Sequence, residues 1–333
     1  SWTETNNLST SRYGNATTGP SSLAVTSGGS DASGTRTAAT EEWSTTIPVG
    51  AWSSGGDMNT AREKVGTASA APSTNSFAFS GESPGTDKMA NSENYNGTSW
   101  TEVADLNTAR KGIAGGGVYT SALGFGGDTG SFSALTESWN GSAWTEVSDL
   151  NTARERLAGC GTVNTAALAF GGRDPQRQLT ELWNGSAWTE VNDLTDTGRY
   201  SIVGMGSSTA ALAAGGYGPP GSGTRDVVES WDGTSWTGVN HLNTAKFASG
   251  ASGTQTSAQV FGGEAPSGVT GQTEDWNGVN WVEVADMSTA RKRLGGSGTT
   301  TAGLAFAGIT TAVTASTEEW SNTSNTTKTV RTD

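Results

Sequence analysis

Residues 137–161 read ESWNGSAWTEVSDLNTARERLAGCG, and 44 residues further on the chain reads ELWNGSAWTEVNDLTDTGR. This phrase recurs along the whole chain and constrains the fold more than any other feature. Its second aromatic stands at Trp2, Trp52, Trp100, Trp144, Trp188, Trp236 and Trp281, at spacings of 50, 48, 44, 44, 48 and 45 residues. A base follows in step, at Arg12, Arg62, Arg110, Arg154, Arg199, Lys246 and Arg291. A first aromatic falls at Trp43, Tyr95, Trp139, Trp183, Trp231, Trp276 and Trp320, and a small-residue doublet such as Gly126-Gly127 ends an apolar run in each copy. Periods of about 40 to 50 residues belong to propellers and solenoids.

Each copy divides into four short runs, shown after Arg110 by KGIAGGGVY, TSALGFGG, LTESWN and AWTEVSDL. Short alternating apolar runs punctuated by glycine read as strands, and helical periodicity is missing. Four strands per repeat make a propeller blade. Asn140-Gly141, repeated as Asn96-Gly97, Asn184-Gly185, Asp232-Gly233 and Asn277-Gly278, marks the hairpin between third and fourth strands. Four residues separate Trp139 from Trp144, so a two- or four-residue loop sets both on one face of the sheet. Glycines crowd the first strand, where strands converge on the propeller axis and small residues allow close approach.

The order of glycine doublet, aromatic, tryptophan and arginine resembles the kelch repeat over essentially the whole chain. A Glu two residues before the first aromatic, and LNTAR in place of a proline-containing turn, depart from that pattern. The near-identical WNGSAWTEV copies resemble in style proteins of environmental phage and marine microbes. Kelch resemblance implies a β-propeller without implying one activity, since the family includes enzymes and binding modules. The expected architecture is all-β: a seven-bladed propeller of four-stranded antiparallel blades, occupying residues 1–333 as one domain. Its blades fall at about 12–57, 62–106, 110–150, 154–194, 199–242, 246–287 and 291–325, with residues 1–8 supplying the outer strand of the last blade and closing the ring. Residues 326–333 are then a tail. The chain starts without methionine, which points to a removed leader or a fragment.

With 33% hydrophobic residues the chain could pass for disordered, but 13 tryptophans at regular intervals require a packed interior. A net charge of −13 argues against nucleic acid and anionic lipid as partners. No apolar run is long enough to span a membrane as a helix. The single cysteine, Cys160, excludes a disulfide framework within the chain and a thiolate metal cluster. His241 has no second histidine with which to form a metal site, and no metal or cofactor is expected.

The repeated residues read as scaffold. Glu137 shares a face with Trp139 and Trp144 and needs a partner when buried, and the repeated arginine, Arg154 in the next copy, belongs to that structural set. Seven equivalent acids around a ring leave no special one for catalysis, so no catalytic residue is expected. Function is sought where copies diverge, in the connection between second and third strands, because binding residues sit on variable loops held by a rigid scaffold. Arg36, Lys88, Phe132, Arg173, Arg177, Tyr217 and Arg225 are the candidate contacts. The expected role is a non-enzymatic recognition or adhesion module at a cell or virion surface, such as part of a tail fibre, binding glycan or protein. A purely structural appendage subunit is the alternative, and an enzyme acting on polysaccharide the less favoured third.

Overall fold

Within a repeat the four apolar runs pair in chain order, each antiparallel to the last. Ala114–Val118, Ser121–Phe125, Thr136–Trp139 and Trp144–Val147 form one such sheet, with Trp139 opposite Trp144. The structure is a computed structural model. It describes residues 50–322 apart from 174–177 and 219–222, together with 16–18, 23–27, 40–44 and positions 30, 33 and 35. The chain forms two compact units, one of Ser1–Val49 with Thr323–Asp333 and one of Gly50–Asn322.

The larger unit is a six-bladed propeller. Blades I to V span 66–103, 114–147, 158–191, 203–239 and 250–284, each a four-stranded sheet. Blade VI takes three strands from 295–321 and its outer strand from Ala51–Ser54, which pairs antiparallel with Thr317–Ser321 and sets Trp52 opposite Trp320. The expectation of seven blades closed by residues 1–8 is therefore corrected twice. There are six blades, and the closing strand is the second copy of the outer-strand phrase. In the smaller unit β1 (Ala16–Thr18), β2 (Leu23–Ser27) and β3 (Thr40–Ser44) make a separate three-stranded sheet.

The physical cause lies between β3 and the strand that follows it, β4 (Ala51–Ser54). Blades I to V join their third and fourth strands through a four-residue turn such as Asn140–Ala143, whereas Trp43 and Trp52 are separated by STTIPVGA, with a proline and no Asn-Gly. Pro48 has a fixed φ and no amide donor, which disfavours a tight hairpin. Thr317–Ser321 reads TEEWS, identical to β3, so it offers β4 an edge of the same sequence.

Adjacent blades are held by one contact made repeatedly. In five of the six blades the outer-strand indole packs edge-on against a phenylalanine of the blade before it: Phe79–Trp144, Phe125–Trp188, Phe170–Trp236, Phe261–Trp52 and Phe306–Trp100, with ring centroids 4.8 to 4.9 Å apart and interplanar angles of 60 to 68°. The indole N–H donates to the hydroxyl that begins the preceding third strand, as Trp188 does to Thr136 at 3.0 Å and Trp52 to Thr273 at 3.1 Å. Blade IV has Val228 at that position, and Trp281 donates instead to the Asn240 carbonyl at 3.1 Å. Truncating one such buried aromatic costs about 3–5 kcal/mol.

A carboxylate under every blade is neutralised by the base that opens the same blade. Arg62–Glu93, Arg110–Glu137, Arg154–Glu181, Arg199–Glu229, Lys246–Glu274 and Arg291–Glu318 stand at 2.6, 3.1, 3.0, 2.7, 3.0 and 3.2 Å, all buried. Glu137 accepts from Arg110 and also from the backbone and side-chain N–H of Asn107 at 2.7 and 2.8 Å. The LNTAR segment is thereby clamped to the blade it enters. Near the axis the first strands converge: a Cβ at Gly115 would stand 2.5 Å from the Thr67 carbonyl of blade I.

Candidate functional site

The two residues after each scaffold base turn over the end of the channel. The second of them adopts a left-handed conformation in every blade: Lys64, Gly112, Arg156, Ser201, Ala248 and Arg293 have φ between 52 and 61°. Their amides form a closed belt in which each N–H donates to the carbonyl of the blade before. Lys64 donates to Arg293, Gly112 to Lys64, Arg156 to Gly112, Ser201 to Arg156, Ala248 to Ser201 and Arg293 to Ala248, at 2.6 to 3.1 Å. Five of the six are not glycine, and side-chain-bearing residues there cost of order 1–3 kcal/mol each. Strain of this kind persists where the surroundings enforce it, and it gathers at functional sites.

Outside this belt lies a ring of cross-strand pairs, one per blade: Glu63 with Glu82, Lys111 with Asp128, Glu155 with Arg173, Tyr200 with Tyr217, Phe247 with Glu264, and Lys292 with Ile309. The backbone geometry is the same in all six, and the side chains differ in every one. Beneath the belt Val65, Ile113, Leu157, Ile202, Ser249 and Leu294 narrow the channel, lining both the outer depression and the inner chamber. The depression has a volume of about 100 Å³, below the 300 Å³ or more of pockets that enclose small molecules. The opposite end opens a wider cavity of about 370 Å³ lined by uncharged residues, among them Thr162, Ser207, Thr254, Gln255 and Thr299.

The mouth has a charged sector and an aromatic one. In the charged sector Arg293 meets Glu63 at 3.0 Å across a blade boundary, Lys64 meets Glu82 within its blade, and Lys111 meets Glu82 at 2.8 Å and also Asp87. Burial alone would raise the Glu82 carboxyl, but hydrogen bonds from Lys111 and Lys64 outweigh it and hold the group at about 2. Burial raises Glu63, and the neighbouring Glu82 adds to that shift. Glu155 takes Arg173 at 3.2 Å and Arg156 at 3.7 Å. In the aromatic sector Tyr200 and Tyr217 lie 5.5 Å apart and Tyr217 and Phe247 5.1 Å apart, all half-buried.

The sequence-derived candidates fall unevenly on this face. Tyr217 sits at the centre of the aromatic sector. Arg173 is half exposed and held by Glu155, and Lys88 pairs with Asp87. Arg225 grips both oxygens of Asp196 at 3.0 Å, fastening its loop to the inter-blade segment. Phe132 is 42% exposed, on a different blade from Tyr217. Arg36 and Arg177 lie outside the described residues. Glu137, Trp139, Trp144 and Arg154 are buried in the blades, with Arg154 bonded to Glu181. Sequence reasoning missed Glu63, Lys64, Lys111, Arg156, Tyr200, Phe247, Lys292 and Arg293. They occupy the two positions after the repeated base, where the chain reads EK, KG, ER, YS, FA and KR in turn, and this variation was visible in the chain. Six bases of the ring are buried in scaffold pairs. All the other described lysines and arginines of the ring lie on this face.

No protein-family model matches the chain, and no curated protein does. Among solved structures it is similar to one described as the structure of YjhT, a β-propeller. The TM-score is 0.62 at 12% sequence identity, over 80% of this chain and 96% of that one. The likeness is one of fold. Within the ring no helix is long and apolar enough to cross a membrane among the described residues.

Proposed function

We propose that the propeller is a non-enzymatic recognition module of a cell-surface or virion assembly, and that it binds a glycan or protein across the channel mouth. The observation that carries this is the concentration of non-repeating chemistry at one end of a repetitive scaffold. Six superimposable backbone positions carry six different side-chain pairs, set on a strained hydrogen-bonded belt. The depression is too small to enclose a sugar ring, so a ligand is held on the surface, as recognition allows and most bond-breaking chemistry does not. Tyr200, Tyr217 and Phe247 supply apolar faces for stacking, and the flanking ion pairs supply donors and acceptors around them. A rigid platform of this kind loses little entropy on binding.

The test is a glycan-array screen of the purified chain beside a Tyr217→Ala/Phe247→Ala variant, followed by calorimetry on any hit. The expected result is selective binding that weakens at least tenfold in the variant, with the melting temperature changed by only a few degrees. Binding that survives the double substitution moves the site off this face. A silent array with folded protein removes sugars as the ligand.

A further inference from the structure

The bases of the channel mouth are gathered on one side of the belt. Three of the six belt positions carry one, Lys64, Arg156 and Arg293, and all three line the depression of about 100 Å³. None of the described carboxylates lines it. Arg293 and Lys64 are neighbours round the belt, and Arg156 lies back over Gly112, the belt residue next to Lys64: a Cβ at Gly112 would stand 3.5 Å from Arg156 Cγ. The other two positions, Ser201 and Ala248, are small, and they follow Tyr200 and Phe247 of the aromatic sector directly in the chain.

The acids nearby do not use up these bases. Glu82 is shared by Lys64 and Lys111, and Glu155 by Arg173 at 3.2 Å and Arg156 at 3.7 Å. The longer contact is an ion pair without a hydrogen bond. The Arg156 guanidinium donates to none of the described residues, and its Nε is buried without a partner. This side chain is 25% exposed, and its group presents N–H donors in a rigid fork that matches the oxygens of a carboxylate or a tetrahedral oxyanion. Donors left unused on a charged, largely buried group are costly, and an ionised acceptor gives them their strongest bonds.

We propose that the depression is a binding site for one oxyanion group, a carboxylate or a sulfate, held by Arg156 with Lys64 and Arg293 beside it. The inference deepens the reading of the mouth as a recognition surface and rests on that reading for the remainder of the ligand. An acidic sugar would set its charged group in the depression and its ring against Tyr217 or Phe247. The size agrees, since the depression admits one such group and not a ring. The chain as a whole carries −13 and repels anions at a distance, so the site acts through short contacts and competes with dissolved salt.

The experiment is calorimetry on the full chain with three probes, glucuronate, glucose and inorganic sulfate, at low and at raised salt. Glucuronate is expected to bind, and glucose to bind at least tenfold more weakly. Glucuronate affinity should fall about tenfold in Arg156→Gln and fall again with added salt. Because the Arg156 side chain bonds to none of its described neighbours, this variant should keep the melting temperature of the native chain. Tyr217→Ala separates the two sources of the oxyanion. A loss for glucuronate but not for sulfate marks a group borne on a sugar. Sulfate and glucuronate binding equally, both indifferent to Tyr217→Ala but sensitive to Arg156→Gln, marks a free oxyanion; the site then stands and the glycan reading falls. Glucose bound as tightly as glucuronate, or glucuronate binding untouched by Arg156→Gln, overturns the proposal and leaves the recognition surface in place. Folded protein that binds neither glucuronate nor sulfate overturns it as well.

Discussion

At the scale of single residues, the scaffold is a set of buried carboxylates each matched to one base, and exceptions identify themselves by lacking one. Removing one member of a buried pair such as Arg110–Glu137 strands the other and costs about 3–5 kcal/mol. Asp275 is one such exception. It stands where other blades have Asn94, Ser138, Leu182, Ser230 or Glu319, and among the described residues only the Gln259 amide reaches it, at 2.9 Å. Burial pushes its carboxyl up to about 6 from the ordinary 3.8, and the Gln259 hydrogen bond offsets only part of this. Between these values the folded chain keeps a proton that the unfolded chain has released. Stability from this group therefore grows as pH falls through 6 and is complete below 3.8. Above pH 6 the ionised group weighs against folding. Asp275→Asn should raise stability at pH 7 by about 1–2 kcal/mol, allowing for partial solvent screening of the shift. At pH 4 it should add nothing. Urea unfolding at both pH values checks this, and an equal gain at each would exclude the assignment.

At the scale of elements, the strands and hairpins were legible because the phrase combines period-2 alternation with a turn signal. The Asn140 turn shows why the signal is strong: its side-chain oxygen accepts from the amides of Ser142 and Ala143 at 3.0 Å, while Gly141 takes φ 95°. Strand pairing was legible only where that turn was present. Between Trp43 and Trp52 the sequence leaves the partner of β4 open, and the contest between two identical TEEWS edges is settled by geometry in three dimensions, which no local pattern reports. A graft follows from this. Replacing STTIPVGA, residues 44–51, with NGSA should give β3 and β4 the regular turn and draw β4 away from Thr317–Ser321. The expected result is a lower melting temperature for the ring and faster exchange at the amides of Thr317–Ser321. A graft that leaves both unchanged would show that the linker sequence does not decide the pairing.

At the scale of the molecule, counting phrases gave seven, and counting closed sheets gives six, because a copy of the phrase is not a blade until its fourth strand is assigned. The candidate site was half legible for a related reason. The variable second-to-third-strand loops pointed to the end of the channel where Tyr217 and Arg173 lie, but the belt of left-handed residues exists only once six blades are brought round an axis. Ring closure then makes a specific demand on β4. Trp52 packs on Phe261 and donates to Thr273, so this short strand ties blade V to blade VI as well as completing blade VI. A chain of residues 50–322 retains every strand of the ring and should melt cooperatively near the ring transition of the full chain. A chain of residues 55–322 differs by five residues and lacks the latch. Losing the Trp52 contacts at about 3–5 kcal/mol, with a shift of about 2 °C per kcal/mol for a ring of this size, lowers melting by roughly 6–10 °C. Exchange should rise first at the blade V–VI boundary, because the latch joins those two blades while the belt and the other five interfaces remain. Matching melting curves for the two truncated chains would mean that the propeller is held shut by something other than its first strand.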